Sequence, residues 1–191
     1  IRGVDHRAHT QEEDKLLVKG EASPGAALLI SVLLYAGAVG CGLAVAFLTG
    51  IEVALAGALC MAVGFLYNAG PLPLSSTPFG ELFAGGFLGS VLFLISCYVF
   101  QGTLTAEALL VSLPFTLYIA SILTVNNTCD MEGDAEAGRK TLVVLCGRLC
   151  GRILIYLLGF AAYGSLPVLA AVRMLPAEVF WTVPPAAAAA A

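Results

Sequence analysis

One stretch of the chain gathers the side chains that could do chemistry: Asn126-Asn127-Thr128-Cys129-Asp130-Met131-Glu132-Gly133-Asp134-Ala135-Glu136-Ala137-Gly138-Arg139-Lys140-Thr141. It follows directly on an apolar run. If the helix of that run continues to Gly138, a step of about 100° per residue puts Asp134 about 40° from Asp130, Asn126 about −40° and Asn127 about 60°. Two amides and two carboxylates then share one arc of about 100°, while Glu132 and Glu136 fall on the opposite face. Two acids one turn apart repel each other and are costly near hydrocarbon unless something compensates them. A divalent cation would do so. Oxygen-only ligands favour Mg²⁺, which keeps several waters and binds one or two carboxylates together with substrate phosphates. Arg139 and Lys140 follow at once and can neutralise further phosphate oxygens. The group as a whole suits an Mg²⁺-bound diphosphate. The competing reading is a solvated helix end, acids then bases. It accounts poorly for the acids, because a helix C-terminus disfavours negative charge.

Other candidates are weaker. Cys41, Cys60 and Cys97 lie inside apolar runs and read as small buried hydrophobes. Cys129, Cys146 and Cys150 lie near the polar stretch, but no C-x-x-C pair and no nearby His supports a zinc site. His6 and His9 sit in a polar segment rich in acids and read as a solvated loop.

These residues must be positioned by a chain of 191 residues that is 59% hydrophobic and only 12% charged, with a mean hydropathy of +0.93. An ordinary soluble domain carries about 25% charge. Nine Lys and Arg against thirteen Asp and Glu give a net charge of −4, which argues against a nucleic-acid binder. The expected class is an all-α, polytopic membrane bundle. Residues 1–24 are polar, and Ser23-Pro24 is a helix start, with Ser as cap and Pro in the first turn. Apolar runs follow at about 25–48, 51–68, 81–100, 104–126, 150–172 and 177–191, the last too short of a full span. Pro114 and Pro167 predict kinks inside spans. Gly85, Gly86 and Gly89 predict close helix packing.

With each run taken as one crossing, residues 1–24, 69–80 and 127–149 share one side. Arg2, Arg7, Lys15, Lys19, Arg139, Lys140, Arg148 and Arg152 belong to that side and only Arg173 to the other, so the positive-inside rule makes the first side cytoplasmic. The chemistry is expected there. The chain starts at Ile1 without a signal segment and ends in six alanines, Ala186 to Ala191. Both ends are therefore expected to be cut.

Asp130-x-x-x-Asp134-x-x-x-Gly138 resembles the second aspartate-rich motif of the UbiA superfamily of intramembrane prenyltransferases. The wider string from Asn126 to Gly138, with Thr141-Leu142 after it, is similar to the MenA branch, which prenylates 1,4-dihydroxy-2-naphthoate. Tyr67-Asn68-Ala69-Gly70-Pro71, then Pro73-Leu74, Thr77-Pro78 and Gly80-Glu81, resembles the MenA-type loop. Arg2-Gly3-Val4-Asp5 with Lys19-Gly20 resembles the stretch after the family's first aspartate-rich motif. The resemblance runs over essentially the whole chain. It implies a UbiA-type bundle of about nine spans, of which about six are represented here. Residues 1–191 are then a single transmembrane prenyltransferase domain, incomplete at both ends and lacking the helix with the first motif. Cys129 departs from the Arg usual in MenA-type sequences, and Pro71 stands where other branches have Lys.

The resemblance further implies the reaction. Mg²⁺ and basic residues draw charge from an allylic polyprenyl diphosphate, and an electron-rich ring carbon attacks the resulting cation. In the MenA branch carbon dioxide leaves in place of a proton. Carried onto this sequence, Asp130 and Asp134 bind the Mg²⁺-diphosphate, and Asn126 and Asn127 orient it. Arg139, Lys140 and Lys19 offset its charge, and Tyr67 lies near the reacting end of the prenyl chain. An interfacial Tyr at a span end is the plainer account of Tyr67. The expected partners are a polyprenyl diphosphate, an aromatic acceptor and membrane lipids, in a bacterial cell membrane. Two other functions compete: a UbiA-type enzyme with another aromatic or lipid acceptor, and a cation-binding transporter. Coupled transport predicts acids deep in several spans, whereas Glu52, Glu81 and Glu107 all stand at span starts.

Overall fold

The computed structural model describes residues 20, 23–70 and 73–182. Every regular element among them is helical. The first two spans form a hairpin: α1 (Pro24–Thr49) and α2 (Ile51–Asn68). Ser23 caps α1 by accepting from the Ala26 amide at 3.1 Å, with Pro24 in the first turn, as its sequence predicts. The hairpin turns on Gly50 alone, whose φ of 143° is in the region that favours glycine.

A short 3-10 turn, Leu74–Ser76, leads to the third span. That span is composite: α3 (Gly80–Ala84), a π segment (Gly85–Val91) and α4 (Leu92–Gln101). The fourth span is α5 (Ala106–Cys129), capped by the Thr105 hydroxyl. Two short helices follow, α6 (Met131–Glu136) and α7 (Leu142–Cys146), and then the last described span, α8 (Arg148–Ala171). Ala177–Thr182 forms a 3-10 segment, so most of the apolar run at 177–191 lies outside the described residues. Among the described residues five helices are long and apolar enough to cross a membrane. Their bounds lie within about three residues of those the hydropathy predicts. Pro114 and Pro167 sit inside α5 and α8 without ending them.

Burial separates the spans. No residue in the most apolar window of α1 is buried, against 33% of that of α5. The outward residues of α1 include Leu28, Leu33 and Phe47, side chains suited to a lipid surface rather than to water. Cys41 on α1 is exposed as well, so it is not the buried hydrophobe its surroundings predict. A helix apolar all round gives no sequence signal for which face is covered.

α5 is the central element, packed chiefly on α8 and on the π segment. The expected glycine contact is specific. A Cβ at Gly89 would lie 2.5 Å from Thr116 Cα, and one at Gly85 would lie 2.6 Å from the Thr116 carbonyl oxygen, whereas one at Gly86 meets open space. Close approach lets a hydroxyl chain form inside the span. Ser112 donates to Ser90 at 2.8 Å, and Ser90 and Thr116 are 2.7 Å apart. The widened π turn occurs at this contact and sets the rotation of the helix that carries Glu81.

Candidate functional site

The polar stretch does not continue α5 as one straight helix to Gly138. α5 stops at Cys129, because Asp130 leaves helical geometry at φ −92° and ψ 8°. α6 then restarts for one and a half turns and closes in a Schellman arrangement. The Arg139 amide donates to the Asp134 carbonyl at 2.9 Å and the Gly138 amide to Ala135 at 3.0 Å. Gly138 supplies the positive φ, 74°, that this ending needs.

The expected division of acids survives the break. Asp130 and Asp134 are buried, at 6% and 1% exposure, while Glu132 and Glu136 face outward. Asn127 is buried with the aspartates, but Asn126 is exposed, so the four groups do not all share one covered face. The reason lies in α3: its close packing on α5 covers the Asn127 side of the helix and leaves Asn126 beyond the contact.

Arg139 is held by two contacts. One guanidinium nitrogen donates to Asp134 Oδ1 at 2.7 Å and another to the Ser75 carbonyl at 2.9 Å, so its charge is directed at Asp134. The Lys140 amide donates to the Ser76 carbonyl at 2.8 Å. These bonds bring the loop after α2 against the polar stretch, at one end of the bundle. Lys140 is exposed there. Tyr67 is half-buried in the last turn of α2, within electrostatic reach of Glu81 and Arg139. Lys19 and the Arg2–Asp5 string lie outside the described residues.

One participant escapes a reading of the sequence by spacing. Glu81, in the first turn of α3, is 5% exposed and accepts a hydrogen bond from Asn127 Nδ2 at 2.8 Å. Its Oε2 is buried without a hydrogen-bond partner among the described residues. An acid in the first turn of a span looks like an ordinary helix-dipole residue. Only the Gly80-Glu81 motif match singles it out.

The fit to Mg²⁺ can be judged from the donors. Asp130 and Asp134 offer carboxylate oxygens and Asn127 an amide oxygen, and all three are buried where a bare pair of acids would be costly. No three His, Cys, Asp or Glu side chains converge into a closed metal cage among the described residues. Mg²⁺ does not require one, since it takes one or two carboxylates and completes its shell with water and phosphate. A carboxylate has lone pairs for both Arg139 and a cation. The residues therefore fit. Partial desolvation and the neighbouring Cys150 thiol push the Cys146 thiol up to about 11.

An apolar cavity of about 330 Å³ lies elsewhere, between α2 and α4, with Glu52, Val53, Ala56, Leu94 and Tyr98 in its wall. Glu52 is about 22 Å along α2 from Tyr67, at the far end of the bundle. Its walls suit hydrocarbon, not phosphate.

The profile of the UbiA prenyltransferase family matches residues 4–191. The 1,4-dihydroxy-2-naphthoate octaprenyltransferase of Bacillus subtilis (strain 168) is 37% identical over 139 residues, 73% of this chain and 41% of that protein. UbiA prenyltransferase domain-containing protein 1 of Xenopus tropicalis is 29% identical over 172 residues, 88% of this chain and 49% of that protein. Its Homo sapiens counterpart is 28% identical over 172 residues, 88% of this chain and 50% of that protein. The chain thus spans about half the length of the curated relatives it matches or less. No solved structure matches it.

Proposed function

The chain belongs to the UbiA prenyltransferase family, and from that premise we propose that it is part of an enzyme that moves a polyprenyl group from an allylic diphosphate to 1,4-dihydroxy-2-naphthoate, with loss of carbon dioxide. The reading draws its acceptor from the Bacillus subtilis relative. The single observation that carries the chemistry is the buried set Asn127, Asp130 and Asp134 at one end of an apolar bundle.

Asp130 and Asp134 are the groups to hold Mg²⁺ together with diphosphate oxygens. When bound, the ion supplies positive charge that stabilises the departing diphosphate. Arg139 aims Asp134, through the bond to Oδ1. Asn127 orients the Mg²⁺-diphosphate through the cation. Lys140, with Lys19 as a second cation, offsets the remaining phosphate charge, and Asn126 lies at the outer margin of the group. Tyr67 flanks the reacting end of the prenyl chain. The apolar spans hold the tail and keep water from the allylic cation, so the ring carbon of the acceptor is the nucleophile that reaches it. The polar end faces the cytoplasm, by the distribution of Lys and Arg, and the membrane is that of a bacterial cell, after the Bacillus subtilis relative.

A second reading is another aromatic or lipid acceptor, since the longer matches to UbiA prenyltransferase domain-containing protein 1, at 88% of this chain, name no acceptor. One experiment separates the two. The full-length protein is given one labelled prenyl diphosphate and a panel containing dihydroxynaphthoate, homogentisate and hydroxybenzoate. Label in demethylmenaquinone alone is the expected result. Label in another acceptor with none in demethylmenaquinone overturns the first reading.

A further inference from the structure

Glu81 has no part in the expected machinery, yet it is one of the most enclosed acids in the structure. It is 5% exposed, one oxygen accepts from Asn127 Nδ2 at 2.8 Å, and the other is buried without a hydrogen-bond partner among the described residues. A half-satisfied carboxylate in a membrane bundle costs stability, and an apolar residue at this place would remove that cost. What Glu81 can do that an apolar residue cannot follows from its bonding inventory. An ionised carboxylate only accepts, whereas a side-chain amide has one accepting oxygen and one donating nitrogen. Asn127 turns its nitrogen toward α3, where one N–H donates to Glu81 Oε1. Its oxygen Oδ1, on the other arm of the amide, then points away from α3. Asn127 and Asp130 are three residues apart, on neighbouring positions of one helix face.

We infer that Glu81 is a positioning residue that locks the Asn127 amide so that an oxygen, not an N–H, is offered beside Asp130 and Asp134. The inference deepens the proposed function and rests on its assignment of a cation and a diphosphate to those aspartates. The π segment begins four residues after Glu81 and seats Gly85 and Gly89 against α5, which holds Glu81 at bonding distance from Asn127. With Gln at position 81 the partner could both donate and accept. The Asn127 amide could then turn over and present N–H to the cation side.

The test uses the full-length protein in lipid nanodiscs, with two readouts: Mn²⁺ binding in the presence of inorganic diphosphate, followed by electron paramagnetic resonance, and the Mg²⁺ concentration giving half-maximal prenyl transfer. Glu81→Gln is expected to weaken Mn²⁺ binding and raise the Mg²⁺ requirement by about tenfold, the size of effect typical of groups that orient ligands. Asn127→Asp alone sets two carboxylates face to face and is expected to weaken both further. The double variant E81Q/N127D reverses the hydrogen bond while keeping an oxygen toward the aspartates. It is expected to bind Mn²⁺ at least as well as E81Q. An E81Q protein with unchanged Mn²⁺ binding and Mg²⁺ requirement overturns the inference, as does a double variant weaker than both single ones. A purely structural Glu81 would lower thermal stability without moving either metal readout. If Asp130→Ala and Asp134→Ala leave Mn²⁺ binding intact, the proposed function itself fails. If they abolish it while E81Q does not weaken it, only the positioning role fails.

Discussion

Three acids occupy the first turn of a membrane span, Glu52 in α2, Glu81 in α3 and Glu107 in α5, and their surroundings could hardly differ more. Glu52 and Glu107 are exposed and need no account beyond the attraction of a helix N-terminus for negative charge. Glu81 is enclosed and bonded to Asn127 across a helix contact. The same contrast recurs within α6. Asp134 is 1% exposed and joined to Arg139, while Glu132, two residues earlier, pairs with Arg148 on the outside at 2.6 Å. Position along a helix therefore does not distinguish a site acid from a solvated one. The tertiary contact that covers it does, and in both cases the contact closes on the same end of the bundle.

The strongest way to break this distinction is Asp134→Ala in the full-length protein. Prenyl transfer is expected to fall by at least about 100-fold, the scale seen when a group stabilising a developing charge is removed. Asp130→Ala should behave alike. Activity within about threefold of the parent would remove both from the metal role, since charge stabilisation is worth far more than that. Glu132→Ala, in contrast, cuts an exposed ion pair worth at most about 1 kcal/mol, and activity should stay within about twofold.

Arg139→Ala comes next. It leaves Asp134 buried without its guanidinium partner, and the loop at Ser75 without its tie to the polar stretch. Removal of one member of a fully buried ion pair costs about 3–5 kcal/mol, and this part-buried pair should cost less than that. The variant should show a clearly lower unfolding temperature in detergent as well as lower activity. Lost activity with unchanged thermal stability would mean that Arg139 serves the diphosphate directly rather than through Asp134.

Much of this was legible in the residues. Hydropathy marks the spans, Ser23-Pro24 marks the start of α1, and the Asp130/Asp134 spacing separates covered from outward acids despite the break at Asp130. The break itself was not legible. Asp130 carries no Pro or Gly that would mark its departure from helical geometry. Nor could spacing tell that Arg139 turns back on Asp134, since charge order in sequence leaves open which oxygen a guanidinium finds. The glycines lie between these cases: their small-residue pattern predicts a contact but not which of them makes it. Gly89→Ala should lower stability by about 1–3 kcal/mol, the cost of forcing atoms into a packed contact, while Gly86→Ala should be neutral or nearly so. Equal effects would show that the π segment does not seat Glu81 through this contact.

The smallest expected effects test the comparison from its other side. Glu52→Gln and Glu107→Gln remove a charge from a helix N-terminus that is open to its surroundings. The loss is at most about 0.5 kcal/mol, near the low end for a dipole interaction at an exposed position. Prenyl transfer and its Mg²⁺ requirement should be unchanged within about twofold, because neither acid touches the Asn127, Asp130 and Asp134 group. Glu52 is the more demanding of the two, since it stands at the wall of the 330 Å³ apolar cavity. If Glu52→Gln altered the Mg²⁺ requirement as Glu81→Gln is expected to, charge at either end of the bundle would suffice, and the covering contact at α3 would lose its special standing. A change in Glu52→Gln confined to prenyl chain-length preference would instead leave the comparison intact, because it would report on hydrocarbon packing far from the diphosphate end.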